Sequence, residues 1–269
     1  FSTKIYVRGR HGDQVDQLII RGGGDPFLTT ENIWMLSRRV VKLGIRNVKR
    51  LVIDNSAFVD QPNRSGQRAY ETAPSAITFN FNSLALEFCV GPDGSPAVIT
   101  SESWGIPVRI EGQVKVSTSA QSAIQVEEKN GDNGATPYFK VGGVLNKGDG
   151  CKTVYRSLSN APKYFAETFK HFLELNNIHG ITDISYAALP SDATFVYSQE
   201  SKSLFEIIGD MNHFSTNFIA EQILYALGYD KATEQFDRSQ GISKLSDSLS
   251  GLGIASDKFV LVDGCGLSH

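Results

Sequence analysis

The sequence predicts an α+β, multidomain chain in which a β-rich first half is followed by a helical second half. Three observations carry this. Residues 1–72 read strand, strand, helix, strand; residues 73–155 are rich in β signals and almost free of helix signals; after Tyr155 charge and glycine thin out and the apolar spacing turns helical. The shifts divide the chain into segments 1–72, 73–155 and 156–269. At 269 residues and 41% apolar composition the chain can bury cores in one large unit or two to three small ones.

In the first segment, Ile5 and Val7 alternate with polar residues, His11-Gly12-Asp13 supplies a turn, and Leu18 and Ile20 begin the return strand. Thr29 or Thr30 caps a helix that buries Ile33, Leu36, Val40 and Leu43 and ends at Gly44. Leu51-Val52-Ile53 is a short buried strand, and 63–67 is a polar loop. The run Gly22-Gly23-Gly24 lacks Gly-x-Gly-x-x-Gly spacing, and the chain is not expected to return there as a parallel unit, which argues against nucleotide binding.

In the second segment, Val108 and Ile110, a turn at Glu111-Gly112-Gln113, and Val114 and Val116 read as a hairpin. Residues 124–128 and 138–141, flanking a polar turn at 130–134, read as another. That turn lacks the ligand spacing and terminal Glu of an EF-hand loop and reads as solvated. Residues 143–153 look faintly like a phosphate loop, but Cys151 stands where the glycine before Lys152 belongs.

In the third segment, Asn160 caps a helix with Pro162 in its first turn, and Phe165, Phe169, Phe172 and Leu173 form a core-facing stripe. His171 and His179 have no ligand spacing and read as surface or satisfied histidines. Ser203 and Glu206 form a capping box ahead of a stripe of Leu204, Ile207, Ile208 and Met211. Ile219, Ile223, Ala226 and Leu227 mark a further helix closed by Gly228, and residues 259–262 read as a strand feeding a glycine-rich turn.

Between those last two helices lies Ser215-Thr216-Asn217. A corner there can aim a hydroxyl and an amide at one point, whereas the plainer reading has Ser215 capping the helix that follows. Local pattern leaves both open. Net charge of −3 provides no basic face for nucleic acid or an anionic membrane, and no apolar run nears the roughly 20 residues of a membrane span. No signal peptide is visible, because Phe1 opens a strand. Cys89, Cys151 and Cys265 are far apart and odd in number, which disfavours a disulfide scaffold or a zinc site and leaves one disulfide with a spare thiol open. No cofactor or metal is expected.

Five stretches share an order with a known family. They are Gly23-Gly24-Asp25-Pro26-Phe27-Leu28-Thr29, Asp54-Asn55-Ser56-Ala57-Phe58, Ala73-Pro74-Ser75-Ala76-Ile77-Thr78-Phe79-Asn80, the Ser215-Thr216-Asn217 corner, and Asp263-Gly264-Cys265-Gly266-Leu267-Ser268. Together they resemble the penicillin-recognising serine DD-peptidases, in particular the class C low-molecular-mass penicillin-binding proteins of the S13 peptidase family. The resemblance departs at two motifs. No serine has a lysine three residues later, and the only Lys-Thr, Lys152-Thr153, is followed by Val154 rather than glycine. Family order would put both missing motifs outside residues 1–269, so this sequence would be an internal piece of the enzyme.

The resemblance implies β-rich insertion domains over 1–72 and 73–155, then the helical part of a β-lactamase/transpeptidase-like domain over 156–269. It implies acyl transfer from D-Ala-D-Ala or D-Ala-diaminopimelyl stem peptides of peptidoglycan to a serine and then to water, with β-lactams as inhibitors that acylate the same serine. Ser215 would relay a proton, Asn217 would position lysine and substrate, and Thr216 would point away. Localisation would be bacterial and periplasmic or otherwise extracytoplasmic, and a homo-oligomer is left open. Residues 1–269 alone would be inactive, and the helical part would expose apolar surface. Two alternatives stand beside this: a vestigial module binding cell-wall peptide or protein, and an unrelated serine hydrolase. The second lacks a Gly-x-Ser-x-Gly elbow, and His213 is too near Ser215 in sequence to be its obvious base. The resemblance also departs at Cys265, where the family has serine.

Overall fold

A computed structural model describes residues 1–60, 63, 66–92, 95–101, 108–131 and 137–267. Strands β1 (Ser2–His11) and β2 (Gln14–Arg21) form an antiparallel hairpin, turned at Gly12 with φ 65°. Helix α1 (Thr30–Lys42), N-capped at Thr29, then carries the chain to β3 (Asn47–Asp54), which pairs parallel with β2. The expectation that the chain would not return in parallel is therefore wrong. The nucleotide reading still fails on space: a side chain at Gly22 or Gly23 would collide with the backbone of Ala76 or Ser2, so these glycines pack against protein.

Next come β4 (Ser83–Cys89), β5 (Val98–Ser101), β6 (Arg109–Gly112), β7 (Lys115–Ser117), β8 (Ala123–Lys129), β9 (Tyr138–Asn146) and β10 (Cys151–Ser157). β8 and β9 form the expected antiparallel pair. The turn between them falls largely on residues 132–136, which lie outside the described residues. β6 and β7 are not a hairpin. Both run parallel to β9, at Tyr138–Val141 and at Val144–Asn146, as one broken edge. The break is Gly112, whose φ of 99° presses its backbone against Val141, while Val114 is fully buried. β4 sits between β5 and β10, and Cys89 faces Cys151 across the β4/β10 ladder in a disulfide.

Helix α2 (Ala161–Leu175), capped by the Asn160 side chain on Lys163 N at 3.1 Å, lays Phe165, Phe169, Phe172 and Leu173 into the core. Two strands that the sequence did not reveal follow, β11 (Asp183–Tyr186) and β12 (Thr194–Glu200). They complete the first sheet, whose order is β11-β3-β2-β1-β12. One apolar core runs from Ile5 through Phe139 and Leu145 to Ile181. The buried Glu128 carboxylate joins β8 to the start of α2, accepting from Ser159 N at 2.9 Å and Tyr164 OH at 3.1 Å.

The chain ends in α3 (Leu204–Phe214), α4 (Asn217–Leu227), a minimal hairpin of β13 (Tyr229–Asp230) and β14 (Gln235–Phe236), and α5 (Arg238–Gly251). The Ser203–Glu206 capping box forms as expected. Residues 259–262 are not a strand, because no ladder partner lies beside them among the described residues. Apolar surface is exposed here, with Phe205 86% and Phe214 69% accessible. No helix among the described residues is long and apolar enough to cross a membrane.

Candidate active site

The corner between α3 and α4 is made by Ser215, whose left-handed backbone (φ 50°, ψ 48°) ends α3. Thr216 N reaches back to Met211 O at 3.1 Å, and Thr216, not Ser215, is the N-cap of α4, without a side-chain cap bond. The plainer reading, in which Ser215 caps the helix that follows, does not hold: Ser215 is the C-cap of α3. The left-handed turn swings two consecutive helices about one serine, so Ser215 and Asn217 border the same cleft of about 260 Å³. Met211, Asn212, Ala220, Gly264 and Cys265 complete its walls. Thr216 also borders it. Among the described residues neither the Ser215 hydroxyl nor the Asn217 amide has a hydrogen-bond partner, so both are available to a ligand.

Behind the cleft, α4 is a hub. Gln222 is fully buried; its Nε2 donates to Gly24 O at 2.8 Å and Ser75 O at 3.0 Å, and its Oε1 accepts from Ser75 N at 3.1 Å. Tyr225 stacks on Phe58 with ring centroids 4.3 Å apart and donates to Asp60 O at 3.2 Å. Burial pushes its phenol up to about 12. Glu221 Oε1 accepts from Gly264 N at 2.6 Å and Cys265 N at 3.2 Å. Every other stretch that resembled the family thus meets the helix that begins with Asn217.

These stretches also bond to one another. Gly24 N donates to Ala76 O at 2.8 Å, Thr78 Oγ1 to Asp25 O at 2.5 Å, and Ile77 N to Asn55 Oδ1 at 2.6 Å. Asp25, 3% exposed, accepts from Phe27 N at 2.9 Å, and burial raises its pKa from the ordinary carboxylate value. Asp54 Oδ1 accepts from Ser56 N at 2.9 Å, and its Oδ2 from Leu189 N at 3.0 Å.

Burial and the neighbouring Glu221 and Asp263 carboxylates hold the Cys265 thiol above its ordinary pKa despite the Leu267 backbone bond, so at neutral pH it is a thiol and a weak nucleophile. Glu221, Asp263 and Cys265 are close enough to share a cation. Their carboxylates are already committed to backbone N–H groups of Gly264, Cys265 and Gly266. Glu87 approaches Cys89 and Cys151, whose sulfurs are consumed in the disulfide. His213 is exposed beside Phe214, ring centroids 4.6 Å apart, and does not border the cleft.

The sequence reading missed Glu221, Gln222 and Arg238. Gln222 carried a usable signal: a polar residue three positions after Ile219, on the apolar stripe, must be satisfied internally.

Over residues 1–269 the sequence matches the family described as D-Ala-D-Ala carboxypeptidase 3 (S13). It is 26% identical over 290 residues to a D-alanyl-D-alanine carboxypeptidase of Actinomadura sp., and 23% identical over 279 residues to the D-alanyl-D-alanine carboxypeptidase DacB of Haemophilus influenzae. All of the chain is covered in both cases, but it spans only 53% and 58% of those proteins. The crystal structure of penicillin binding protein 4 (dacB) from Haemophilus influenzae superposes with a TM-score of 0.81, covering all of this chain and 61% of that one at 23% identity. A structure of the same protein complexed with a β-lactam gives 0.75. At such identity the superpositions establish the fold.

Proposed function

The chain belongs to the D-Ala-D-Ala carboxypeptidase 3 (S13) family, and on that premise we propose that it is part of a bacterial, extracytoplasmic serine DD-peptidase acting on peptidoglycan stem peptides. The nucleophilic serine and its lysine come from residues outside 1–269. The serine oxygen attacks the carbonyl carbon of the penultimate D-Ala; the amide C–N bond breaks, and the serine proton passes through lysine and the Ser215 hydroxyl to the leaving amine. The Asn217 amide holds the lysine and the substrate backbone, and water then hydrolyses the ester. A β-lactam acylates the same serine, but its opened ring keeps the leaving amine tethered.

The observation that carries this reading is the left-handed Ser215 corner, which presents a free hydroxyl and a free amide to one cleft. A serine hydroxyl that only capped a helix would be spent on a backbone N–H. The exposed apolar side chains of α3, Phe205 and Phe214 among them, fit a surface that the rest of the enzyme covers.

Intact-mass spectrometry before and after incubation with a fluorescent penicillin tests the proposal. Residues 1–269 alone should gain no adduct. The full-length protein should gain one penicilloyl group, at a rate that falls on mutation of Ser215 or Asn217. A full-length protein that takes up none would move the assignment to a cell-wall binding module.

A further inference from the structure

The turn that carries Cys265 is held to α4 by one carboxylate. Glu221 Oε1 accepts both the Gly264 and Cys265 N–H groups, the Glu221 side chain is 14% exposed, and Arg238 Nε stands 3.8 Å from Oε2. Arg238 also donates to the Val262 carbonyl, so the pair grips the segment on both sides of Asp263. Asp263 Oδ1 accepts from Gly266 N at 2.5 Å and closes the turn on itself. Gly264 is the point of contact, since a Cβ there would sit 2.6 Å from Ala220 O and 3.2 Å from Leu224 Cβ.

Among the described residues, the segment leading into this turn has no ladder to hold it. Residues 259–262 pair with no strand among the described residues, and Val260 is 86% exposed. Glu221 lies four residues after Asn217, one helical turn along the same face. A carboxylate accepting two backbone N–H groups while facing a guanidinium makes strong, directional bonds. The Cys265 wall of the cleft is thereby tied to the helix whose first residue is Asn217.

We infer that Glu221, braced by Arg238, is a positioning residue: it sets the distance between the Ser215-Thr216-Asn217 corner and the turn at 263–266, and so the seating of the acyl donor between them. This rests on the serine DD-peptidase reading. Glu221 touches no reacting atom; it acts through the turn.

Cys265 is the free cysteine of the chain and serves as a reporter of the turn. The experiment uses the full-length protein as wild type, Glu221→Ala, Glu221→Gln and Gly264→Ala, the last undocking the turn by bulk rather than by loss of an acceptor. Acylation by fluorescent penicillin and maleimide labelling of Cys265, located by peptide mass, are measured together. Glu221→Ala and Gly264→Ala should label roughly tenfold faster and acylate at least roughly tenfold slower, the scale that small misplacements in an active site produce. Glu221→Gln, which keeps an acceptor oxygen, should fall between them and wild type on both readouts. Unchanged labelling in both variants overturns the inference, as does faster labelling with unchanged acylation. Wild-type protein that takes up no penicillin overturns the peptidase reading and this inference together, an outcome distinct from the other two because in those the wild type acylates.

Discussion

Ser75 and Gln222, 147 positions apart, form a buried two-way pair in which each donates to and accepts from the other. Gln222 adds a bond to Gly24 O. Gln222→Ala leaves three buried backbone groups without partners, each costing about 1–3 kcal/mol, so unfolding free energy should fall by about 3 kcal/mol or more. Gln222→Glu should do no better, because it turns a second oxygen towards two carbonyls. Urea denaturation measures both; a loss below about 1 kcal/mol would mean that the pair does not hold α4 to the stretches around Gly24 and Ser75.

That pair explains why the family resemblance was legible before the fold was. The stretches at 23–29, 54–58, 73–80 and 263–268 are four surfaces that α4 touches, through Gln222, Tyr225 and Glu221. Special residues are needed where backbones meet closely, and short motifs record that need. Topology left weaker marks. β11 is four residues long and pairs with β3, more than a hundred positions earlier, and β12 is mostly half-exposed, so neither shows a clean alternation. The parallel return of β3 and the broken β6–β7 edge depend on partners that no local window contains. α5 escaped because it is rich in serine and buries only Gly241. Ser215 and Asn217 were legible as a corner, but their freedom from internal bonds was not.

Asp25 gives a pH test with a defined sign. Its folded-state pKa is raised, chiefly by burial, so ionisation is harder in the folded than in the unfolded chain. Its contribution is most favourable below the ordinary carboxylate pKa and is lost as pH rises through the raised folded value. Asp25→Asn keeps an oxygen for Phe27 N and removes the ionisation. Melting curves of the two proteins should converge in acid, and the variant should melt higher at neutral pH. A variant that melts lower at pH 7 would mean that the charge is stabilised by groups beyond those named.

Cys89 and Cys151 are opposite each other in the β4/β10 register, with Cα atoms 4.0 Å apart and 62 residues of separation. Closing a loop of that length restricts the unfolded chain, so reduction or Cys89→Ser should cost about 2–4 kcal/mol. Denaturation with and without reductant measures this. Peptide mapping should find Cys265 alone alkylated before reduction, and alkylation of Cys89 or Cys151 at that stage would contradict the pairing.

The last test separates chemistry from folding at the corner. The Ser215 side chain is exposed and makes no hydrogen bond within the described residues, so Ser215→Ala removes a hydroxyl from no structural contact. Ser215→Gly also suits the left-handed backbone at φ 50° and should, if anything, relax it. Both variants of the full-length protein should therefore melt near the wild type. If the hydroxyl relays the proton to the leaving amine, both should lose about 10²–10⁴-fold in kcat/KM on a D-Ala-D-Ala peptide, the usual range for one acid–base group. Asn217→Ala should lose activity too, with a larger share in KM, because its amide holds substrate. Unchanged melting with unchanged turnover in the Ser215 variants would remove Ser215 from the mechanism and leave the corner a hinge between two helices.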